Sequence, residues 1–562
     1  MKKVFAFILA FALMISSAAT LTGCGNSIAD GENDLEIQIY DRGYGTAGVD
    51  AVAAKYREKH PEVNIEITGV VDNTLATDIY AGPSSVTTDL YFFGGDNMFN
   101  LVNSGSVTID GVAYDNYFEP LTEVFEYTPE GETKKIKEKM LPSFERFYNV
   151  KDGKRFTEDA YYCAPWMGGL CGLVYNSKMF RTHGWTVPVT TDELIALSDT
   201  IIATPAYSTN KNSNGQEIKV APFSFCLEDS YWSYVYQQWW AQYDGVEKYD
   251  NYFKGQDMSG NYTPEITAST GRLEMLKLLD SLIGTYKKEG SATVKRDNVY
   301  CDPSLNTRSF MDTQGTFLSA EGARINTNGA TTSAMMPSGD WLENEMSANF
   351  SSQIESGEIE FSIMRTPVIS AIRNHPDCED TIESDAELSA LIKAIDAGST
   401  ALSGEGYDVS QKAYDKIREA RTTVFANVKY SVYVPAFATA KQAAKEFLKY
   451  LYSDEGIKIF SEATDGQDLP FEFDWDSIEG VTDFQKSKFD VISSAEHYAI
   501  ESDKYAVVYR GGHRSFRVYT PIESKFNVNS PNDYIDPETI FIENYNEIQR
   551  LWPQILLDAG VN

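Results

Sequence analysis

Apolar and polar residues alternate in two short segments near the start of the chain, and a segment with helical spacing lies between them. Residues 35–39 (LEIQI) and 63–67 (VNIEI) show the two-residue period of a half-buried strand. Val52 and Tyr56, with alanines around them, show the spacing of a helix. The order strand, helix, strand is that of a βαβ unit, which predicts a parallel sheet. A further strand is predicted at 88–93 (TDLYFF), directly before two glycines.

Helical patterns and a second strand region follow along the chain. A strand is predicted at 172–176 (GLVYN), and residues 190–193 form a capping box ahead of an apolar helix pattern. The segment 231–253 carries ten aromatic residues at helical spacing, so most of them are expected in a core. Residues 376–420 are charged with helical patches and are interpreted as an inserted arm, while 440–451 predict an amphipathic helix. Together these elements predict the α/β class.

The first residues have the layout of a secretory signal. Lys2 and Lys3 precede an apolar run over 4–19, and small residues then lead to Cys24. The run is shorter than the ~20 residues that span a bilayer, so a permanent transmembrane helix is the weaker interpretation. An ordinary cleaved signal with an incidental cysteine is the other alternative. In either secretory case the mature protein is expected outside the cytoplasm.

The residues LTGC at 21–24 resemble a bacterial lipobox, with a threonine as a mild departure from the commonest pattern. The resemblance implies that residues 1–23 are a lipoprotein signal peptide and that Cys24 is lipidated and becomes the N-terminus. Two or more acyl chains give stable membrane anchoring, which places the protein on the outer face of the cell membrane. Residues 24–34 are mostly small, polar and acidic and are predicted to form a flexible tether.

Charge and length narrow the function classes. The chain has 562 residues and a formal net charge of -34. Such an acidic chain repels nucleic acid and anionic lipid, and neither is expected as a partner. The length predicts two or more packed lobes. With 34 tyrosines, 30 phenylalanines and 8 tryptophans, the chain can fill a core and still present aromatic surface to a ligand.

Cysteine and histidine give no sign of a disulfide framework or a metal site. Besides Cys24 an odd number of cysteines remains, and no CxxC pair occurs. Cys163 and Cys171 could pair if they lie on adjacent strands, but two small buried thiols fit the pattern better. No histidine has another histidine or cysteine at metal-ligand spacing. No metal or other cofactor is therefore expected.

Three groups of segments resemble one family, the large extracellular solute-binding proteins of ABC importers, and especially its carbohydrate-binding members. The segments are 164–180 with 184–194, then 310–315 with 333–341 and 361–367, and finally 440–451. Each group alone is a weak signal, but the three occur in the order of the family and behind a lipoprotein signal. The resemblance covers most of 35–470 and is poor over 376–420 and over the C-terminal part.

The resemblance implies a two-lobed α/β fold of the periplasmic-binding-protein type (the Venus flytrap), with the ligand cleft between the lobes. The first lobe would take residues 35–162 and much of 434–470, and the second would take 165–430 together with 471–562. By the same likeness, the chain crosses between the lobes near 162–165 and near 431–434. Ligands of open α/β sheets bind beyond the carboxyl ends of strands, so the loops there are the place to look for the site.

Three polar candidates follow predicted strands. Asp41 comes directly after the first strand, and Asp96 and Asn97 follow the strand at 88–93 behind two glycines that let backbone approach a ligand. The alternative for Asp96 is an N-cap in a glycine-rich turn. In sugar binders of the family the loop that corresponds to Asp96 supplies polar contacts to hydroxyls. All three residues are therefore candidates for ligand binding.

Four aromatic residues are candidates for stacking a ligand. The resemblance places a sugar-stacking tryptophan at Trp341, which ends the segment SAMMPSGDW. Trp166 follows a proline at the expected hinge, with lobe-interface packing as its alternative. Tyr231 and Trp232 open the aromatic helix, and Glu228 lies just ahead of them. A pyranose offers apolar C–H faces to such rings and hydroxyls to nearby polar groups, so this set fits a carbohydrate.

A transport role without catalysis is the leading hypothesis. The protein would act as a monomer, capture an extracellular sugar or oligosaccharide, close around it and deliver it to the membrane subunits of an ABC permease. The same fold binding a peptide or another polar solute is the first alternative. A secreted carbohydrate-active enzyme is the second, because paired carboxylates are easy to find among 82 acidic residues. Against an enzyme, the chain has no nucleophile elbow, HExxH motif or phosphate-binding glycine loop.

Overall fold

Two larger sheets and three two-stranded hairpins make up the strand content of the described residues. The computed structural model describes residues 31–151, 155–203, 218–224, 231–301, 309–319, 323–326, 329–502, 504–505, 507 and 522–561. The strands are β1 Asp34–Tyr40, β2 Asn64–Val70, β3 Leu90–Gly94, β4 Val107–Ile109, β5 Val112–Tyr114, β6 Ala164–Pro165, β7 Leu170–Tyr175, β8 Ile218–Phe223, β9 Tyr286–Glu289, β10 Ala292–Lys295, β11 Ala323–Asn326, β12 Gly329–Gly339, β13 Ser362–Met364, β14 Ser403–Gly404, β15 Tyr407–Asp408, β16 Thr423–Ala426, β17 Tyr430–Tyr433 and β18 His497–Ile500.

Helices cover both sheets. The α-helices are α1 Ala47–Lys59, α2 Leu75–Ala81, α3 Phe99–Val102, α4 Thr122–Phe125, α5 Ile136–Lys139, α6 Pro142–Tyr148, α7 Ser177–His183, α8 Thr191–Ala203, α9 Ser233–Asp244, α10 Val246–Lys254, α11 Thr270–Ile283, α12 Phe310–Leu318, α13 Leu342–Glu355, α14 Asp385–Asp396, α15 Gln411–Thr422, α16 Lys441–Leu451, α17 Asp454–Ala463, α18 Asp483–Ile492, α19 Glu523–Phe526 and α20 Pro537–Asp558. Short 3-10 helices lie at Pro264–Ala268, Ser370–Asn374 and Trp475–Ser477. In the described ranges no helix is both long enough and apolar enough to cross a membrane.

The first sheet, which defines the first lobe, has the strand order β2–β1–β3–β17–β6. β1 runs parallel to β2 and β3, and α1 connects β1 to β2. Every second residue of β1 is buried, namely Leu35, Ile37 and Ile39, as the alternating sequence predicts. The predicted βαβ unit is therefore confirmed. β3 is a central strand between β1 and β17, and all of its residues are buried.

The second sheet, which defines the second lobe, is built around β7. β7 pairs antiparallel with β12, β13 and β16. β8 extends the sheet from β12, and β18 extends it from β16, both in parallel. The aromatic segment forms two helices that meet at Gly245, α9 and α10. α9 packs on this sheet with almost every residue buried, so the predicted core packing is confirmed there. Inside this core Trp239 Nε1 donates to the Pro367 carbonyl oxygen at 3.1 Å.

The later parts of the chain distribute over both lobes. α16 and α17 contact α1 and therefore belong to the first lobe. Residues 376–420 are not an extended arm: α14 contacts the 3-10 helix Ser370–Asn374 and α15, and α15 contacts α9. Near the C-terminus, α18 packs on β13 and α20 packs on α11. The α/β class with two lobes is thus confirmed, while the exact lobe boundaries stay predictions.

Three segments carry the chain between the two sheets in the part that the structure describes. They are residues 166–169 between β6 and β7, 427–429 between β16 and β17, and 464–482 between α17 and α18. Asn427 donates its backbone N–H to the Gly169 carbonyl oxygen at 2.8 Å, and Gly168 donates to that of Asp468 at 2.8 Å. Because these hydrogen bonds tie the segments side by side, the three form one hinge.

Two of these crossings differ by a few residues from the sequence prediction. The first was expected near 162–165, but β6 is still a strand of the first sheet. The second was expected near 431–434, but β17 already pairs with β3. The two strands contain 2 and 4 residues, which is too short for an alternating pattern to show where they begin and end.

Replacing Gly169 with alanine is expected to destabilise the hinge. Gly169 has φ +66°, and an added Cβ would lie 2.3 Å from the Asn427 carbonyl oxygen. Gly184 is the matched control, because it has φ +67° and nothing within 4 Å of an added Cβ. Gly184→Ala should cost ~1–2 kcal/mol through the positive φ alone. Gly169→Ala should cost ~1–3 kcal/mol more through the clash, measured by urea unfolding; equal losses would contradict the hinge geometry.

The described cysteines are thiols. Cys163, Cys171, Cys301 and Cys378 are buried and are not in disulfides, which confirms the interpretation of Cys163 and Cys171 as two small core residues. Cys226 and Cys24 lie outside the described residues. Among the described residues, no group of three or more histidine, cysteine, aspartate and glutamate side chains is arranged to hold a metal ion.

Candidate functional site

Aromatic rings from both lobes and from the hinge meet in one place. Tyr44, in the loop after β1, has its ring centroid 6.3 Å from Trp166, 6.3 Å from Trp341 and 4.8 Å from Tyr430. All three contacts are edge-to-face. We call these four residues the junction cluster. Trp166 and Tyr430 come from the hinge side, Tyr44 from the first lobe and Trp341 from the second, so the cluster lies where the lobes touch.

The second lobe extends the junction cluster with two more tyrosines. The ring centroids of Tyr231 and Tyr234 lie 6.3 Å and 5.6 Å from that of Trp341. Trp341 follows β12 and precedes α13, at the carboxyl end of a strand, where open α/β sheets bind ligands. Its side chain is only 4% exposed because aromatic residues surround it. The structure thus brings two of the predicted residues, Tyr231 and Trp341, into one aromatic wall.

Two hydrogen bonds join the lobes across this cluster. The Tyr44 hydroxyl donates to Asp340 Oδ1 at 2.6 Å, and Asn344 Nδ2 donates to the Gly43 carbonyl oxygen at 2.6 Å. Burial raises the pKa of the Tyr44 hydroxyl well above its ordinary value, and the neighbouring Asp340 carboxylate adds to the rise. Tyr44 therefore stays a hydrogen-bond donor at neutral pH. The lobes are in contact, and the arrangement is a closed one.

Buried charge lies directly behind the junction cluster. Lys488, on α18, has a fully buried side chain whose Nζ lies 2.7 Å from Asp468 Oδ1. The same Nζ donates to the Gly466 carbonyl oxygen at 2.7 Å. Asp340 is also fully buried, and burial raises its pKa to about 7. Lys488 lowers that pKa and Asp468 raises it, so the three groups act on one another.

Stability is expected to fall as the pH rises through the titration of Asp340. A carboxyl of this type titrates near 3.8 when unperturbed, and the pKa of Asp340 in the fold is about 7. The folded protein holds this proton more tightly, so the stabilisation is complete below about pH 4 and is lost as the pH rises through about 7. Asp340→Asn should remove this part of the pH dependence, measured as the free energy of unfolding from about pH 4 to 8. An unchanged slope in the variant would contradict the assignment.

A small pocket opens beside Tyr231. It is lined by Ser224, Tyr231, Trp232, Phe310, Thr313, Gln314, Met336 and Pro337, and we call it the side pocket. Tyr231 belongs to both the side pocket and the aromatic wall around Trp341, so the two are adjacent. Gln314 Nε2 donates to Glu345 Oε2 at 2.8 Å, which connects the pocket to α13.

The polar residues predicted after β1 and β3 form no hydrogen bond or ion pair with the aromatic wall around Trp341 in the described part of the chain. The side chain of Asp96 is 87% exposed and forms an ion pair with Lys429 at 3.2 Å. Asn97 is bound to the hinge, because its Nδ2 donates to the Val428 carbonyl oxygen and its Oδ1 accepts from the Ser431 hydroxyl. Asp41 is exposed at the end of β1. Roles of these residues in ligand binding stay predictions.

Two further candidates are core residues, and one cannot be placed. Trp166 is fully buried, and its Nε1 donates to the Phe93 carbonyl oxygen at 3.0 Å, which matches the lobe-interface alternative given for it. Trp232 is fully buried with its ring 5.3 Å from that of Phe223, and it lines the side pocket. Glu228 lies outside the described residues.

Sequence reasoning did not select Tyr430, Asp340 or Gln314 for the site. Asp340 and Gln314 lie within the segments that carry the family resemblance, which was the available signal for them. Tyr44 lies three residues beyond Asp41 in the same strand-end loop. Tyr430 gave no signal, because a tyrosine at the start of a short strand is ordinary in a chain with 34 of them.

Solved structures of solute-binding proteins have a similar overall fold. The apo form of RafE from Streptococcus pneumoniae is 12% identical, covers 93% of this chain and 98% of that chain, and gives a TM-score of 0.53. RafE in complex with raffinose gives a TM-score of 0.50 at 13% sequence identity, and the match covers 92% of this chain and 99% of that chain. The bacterial solute receptor AcbH gives a TM-score of 0.51 at 13% sequence identity, and the match covers 93% of this chain and 100% of that chain. At these low sequence identities, the structural similarity shows a shared fold and nothing more specific.

A curated relative adds likeness in sequence. The diacetylchitobiose binding protein NgcE of Streptomyces coelicolor is 28% identical over 170 residues. The match spans 30% of this chain and 32% of the relative, about a third of its length. No family model matches the chain. The similarity to carbohydrate solute-binding proteins that the sequence predicts is confirmed by this relative and by the shared fold.

Proposed function

We propose that this chain is the lipid-anchored, extracytoplasmic binding component of an ABC importer. It captures a sugar or oligosaccharide between its lobes and delivers it, as a monomer, to the membrane permease. The observation that carries the proposal is the aromatic wall of Trp341, Tyr231 and Tyr234 opposite Tyr44, at the junction of two lobes joined by a hinge. Its location follows from the signal and from Cys24, which remain sequence predictions.

The chemistry of the wall favours a carbohydrate over a peptide. Aromatic faces bind the C–H faces of a pyranose, and the hydroxyl rim needs polar groups beside the rings. Asn344 and Glu345 supply such groups within a few residues of Trp341. The names of the similar proteins support the same choice, because they state diacetylchitobiose, raffinose and β-D-galactopyranose as ligands of those proteins.

A binding role without turnover is supported by the same comparisons. The similar proteins are described as binding proteins or receptors. Asp340, a carboxyl group at the lobe junction, is fully buried and accepts a hydrogen bond from Tyr44. In this closed arrangement the hydrogen bond from Tyr44 to Asp340 holds the lobes together. A glycosidase would instead place two carboxyl groups on either side of the glycosidic bond that it cleaves.

The test of the proposal is what happens to the ligand and to the lobes. A panel of mono- and oligosaccharides is screened by thermal shift, since a ligand of the folded state raises the melting temperature. The best ligand should reduce the radius of gyration in solution scattering and be recovered intact. Cleaved products above one per protein would replace the proposal with the glycosidase. If peptides raise the melting temperature and no sugar does, the ligand is a peptide and the sugar-binding part of the proposal is wrong.

Replacing Cys24 with alanine is expected to move the protein out of the membrane fraction or leave its signal unprocessed. The reason is that lipid chains on this one residue supply the whole of the anchoring. Ser27→Ala, three residues further along, is the matched control and should stay membrane-bound. Fractionation with intact-mass spectrometry measures both outcomes. An unmodified mature N-terminus at another residue would refute the anchor and leave sugar binding untouched.

A further inference from the structure

The hydrogen bond from Tyr44 to Asp340 is a direct contact between the two lobes. Tyr44 lies in the loop after β1 of the first lobe, and Asp340 lies between β12 and α13 of the second. The two residues are 1% and 0% exposed. Their oxygen atoms are 2.6 Å apart, as in a strong bond between a hydroxyl and a carboxyl group. Because the partners belong to different lobes, separation of the lobes breaks this bond.

Closure of the lobes also removes Asp340 from water. In the closed arrangement Asp340 Oδ2 has no hydrogen-bond partner in the described part of the chain. The nearby cation, Lys488, already lies 2.7 Å from Asp468 Oδ1. Two buried carboxyl groups therefore share one ammonium group, and an ionised Asp340 adds an uncompensated negative charge to the interior. A proton on Asp340 removes that charge, so closure costs less when this carboxyl group is neutral.

The titratable groups that face Asp340 come from five elements. They are Tyr44 in the loop after β1, Cys171 on β7, Tyr430 on β17, Asp468 in the hinge and Lys488 on α18. Burial is the largest effect on Asp340 and raises its pKa to about 7, although Lys488 lowers it. Burial also raises the pKa of the two tyrosines and of the cysteine, which therefore stay neutral near this pH. Asp340 is thus expected to change its charge near neutral pH.

We infer that Tyr44 and Asp340 form a latch that holds the lobes closed, and that Asp340 takes up a proton as the latch closes. The inference rests on the proposed function, since it names residues that set the balance between the open and closed forms of that binding protein. Both are positioning residues, because they act on ligand affinity through closure. Acid therefore favours the closed form with its ligand, and a rise in pH favours opening and release.

Calorimetry with a neutral sugar tests the latch. The best neutral sugar of the panel has no titrating group, so any pH dependence of its binding comes from the protein. The affinity of the mature protein should fall at least ~5-fold between about pH 5.5 and about pH 8. Titrations at about pH 6 in two buffers of different ionisation enthalpy should show that binding takes up a proton, with about one per sugar as the upper limit.

Three variants assign these effects to the latch. Asp340→Asn keeps the shape of the side chain and an acceptor for Tyr44 but cannot titrate, so the pH dependence and the proton uptake should both disappear. Tyr44→Phe keeps the ring and removes the hydroxyl that joins the lobes, so the affinity should fall ~10-fold at about pH 6. Tyr161→Phe is the matched control, because the Tyr161 hydroxyl donates to Glu145 Oε1 at the same 2.6 Å within the first lobe. It should lower the melting temperature and leave the affinity unchanged.

Solution scattering of the ligand-free protein tests the same latch without any sugar. The radius of gyration should increase from about pH 5.5 to about pH 8 in the wild-type protein and stay constant in Asp340→Asn. A wild-type protein whose affinity, proton uptake and radius are all independent of pH would overturn the inference. A pH dependence that persists in Asp340→Asn would also overturn it, because another group would then be its source. If no sugar of the panel binds, the proposed function fails, and the scattering series alone decides on the latch, with equal radii contradicting it.

Discussion

Lys488→Met is expected to destabilise the protein by ~3–5 kcal/mol, because it leaves the buried carboxylate of Asp468 without its cation. The Lys488 side chain is 0% exposed and that of Asp468 is 5% exposed. Methionine retains the length and apolar stem of lysine but supplies neither the charge nor the hydrogen bond to Gly466. The free energy of unfolding from urea titration, followed by tryptophan fluorescence, measures the loss.

Two controls separate this effect from a general effect of methionine on α18. Lys486, two residues earlier, pairs with Asp483 while both side chains are exposed at 61% and 86%, and Lys486→Met should change stability by less than ~1 kcal/mol. The double variant Lys488→Met with Asp468→Leu removes both charges and should recover much of the loss. A Lys488→Met protein as stable as Lys486→Met would show that the buried ion pair contributes nothing.

Trp341→Ala is expected to weaken sugar binding by ~1–3 kcal/mol, a rise of about fivefold to 150-fold in Kd, through the lost aromatic contact. Trp341 is the central ring of the aromatic wall, with Tyr44, Tyr231 and Tyr234 around it. Calorimetry with the best ligand of the sugar panel measures the change. Circular dichroism and the melting temperature establish that the variant remains folded, since its environment is mostly buried.

A tryptophan elsewhere in the second lobe provides the comparison for Trp341. Trp185, after α7, stacks on His183 and packs on Phe180, and it lies outside the junction cluster. Trp185→Ala should cost stability and leave the affinity for sugar unchanged. If Trp341→Ala folds and binds as tightly as the wild-type protein, the stacking role is wrong and the wall is only packing between lobes.

Local patterns predict the elements of this fold where one face of an element is buried over several residues. β1 and β2 follow an alternating sequence, α9 follows an aromatic helical pattern, and both predictions are confirmed. β6 and β17 are too short to show a period, so the chain crossings lie a few residues from where the sequence suggests. The helices of 376–420 carry charge on their exposed faces, which hid the packing of α15 against α9 and of α14 against α15.

The site is less predictable because its contacts join distant parts of the chain. Tyr44 and Asp340 are 296 residues apart, and no local pattern relates them. The rule that ligands bind after strands selects Asp96 and Asn97, but the first is exposed and the second holds the hinge. The prediction of Trp341 as a site residue rested on the family resemblance, which carries information about tertiary position that a single sequence lacks. The polar atoms of the side pocket could only be recognised once their neighbours were known.

The interleaving of strands has a consequence for how the growing chain folds. The first sheet needs β1 to β3 and also β17, while the second needs β7 and also β18 near residue 500. A chain synthesised from its N-terminus therefore completes neither sheet until most of its length has been made. Such long-range pairing makes folding slow and leaves apolar strands uncovered in the meantime. Premature termination before residue 430 removes strands from both lobes at once, so a truncated product of half size keeps neither lobe whole.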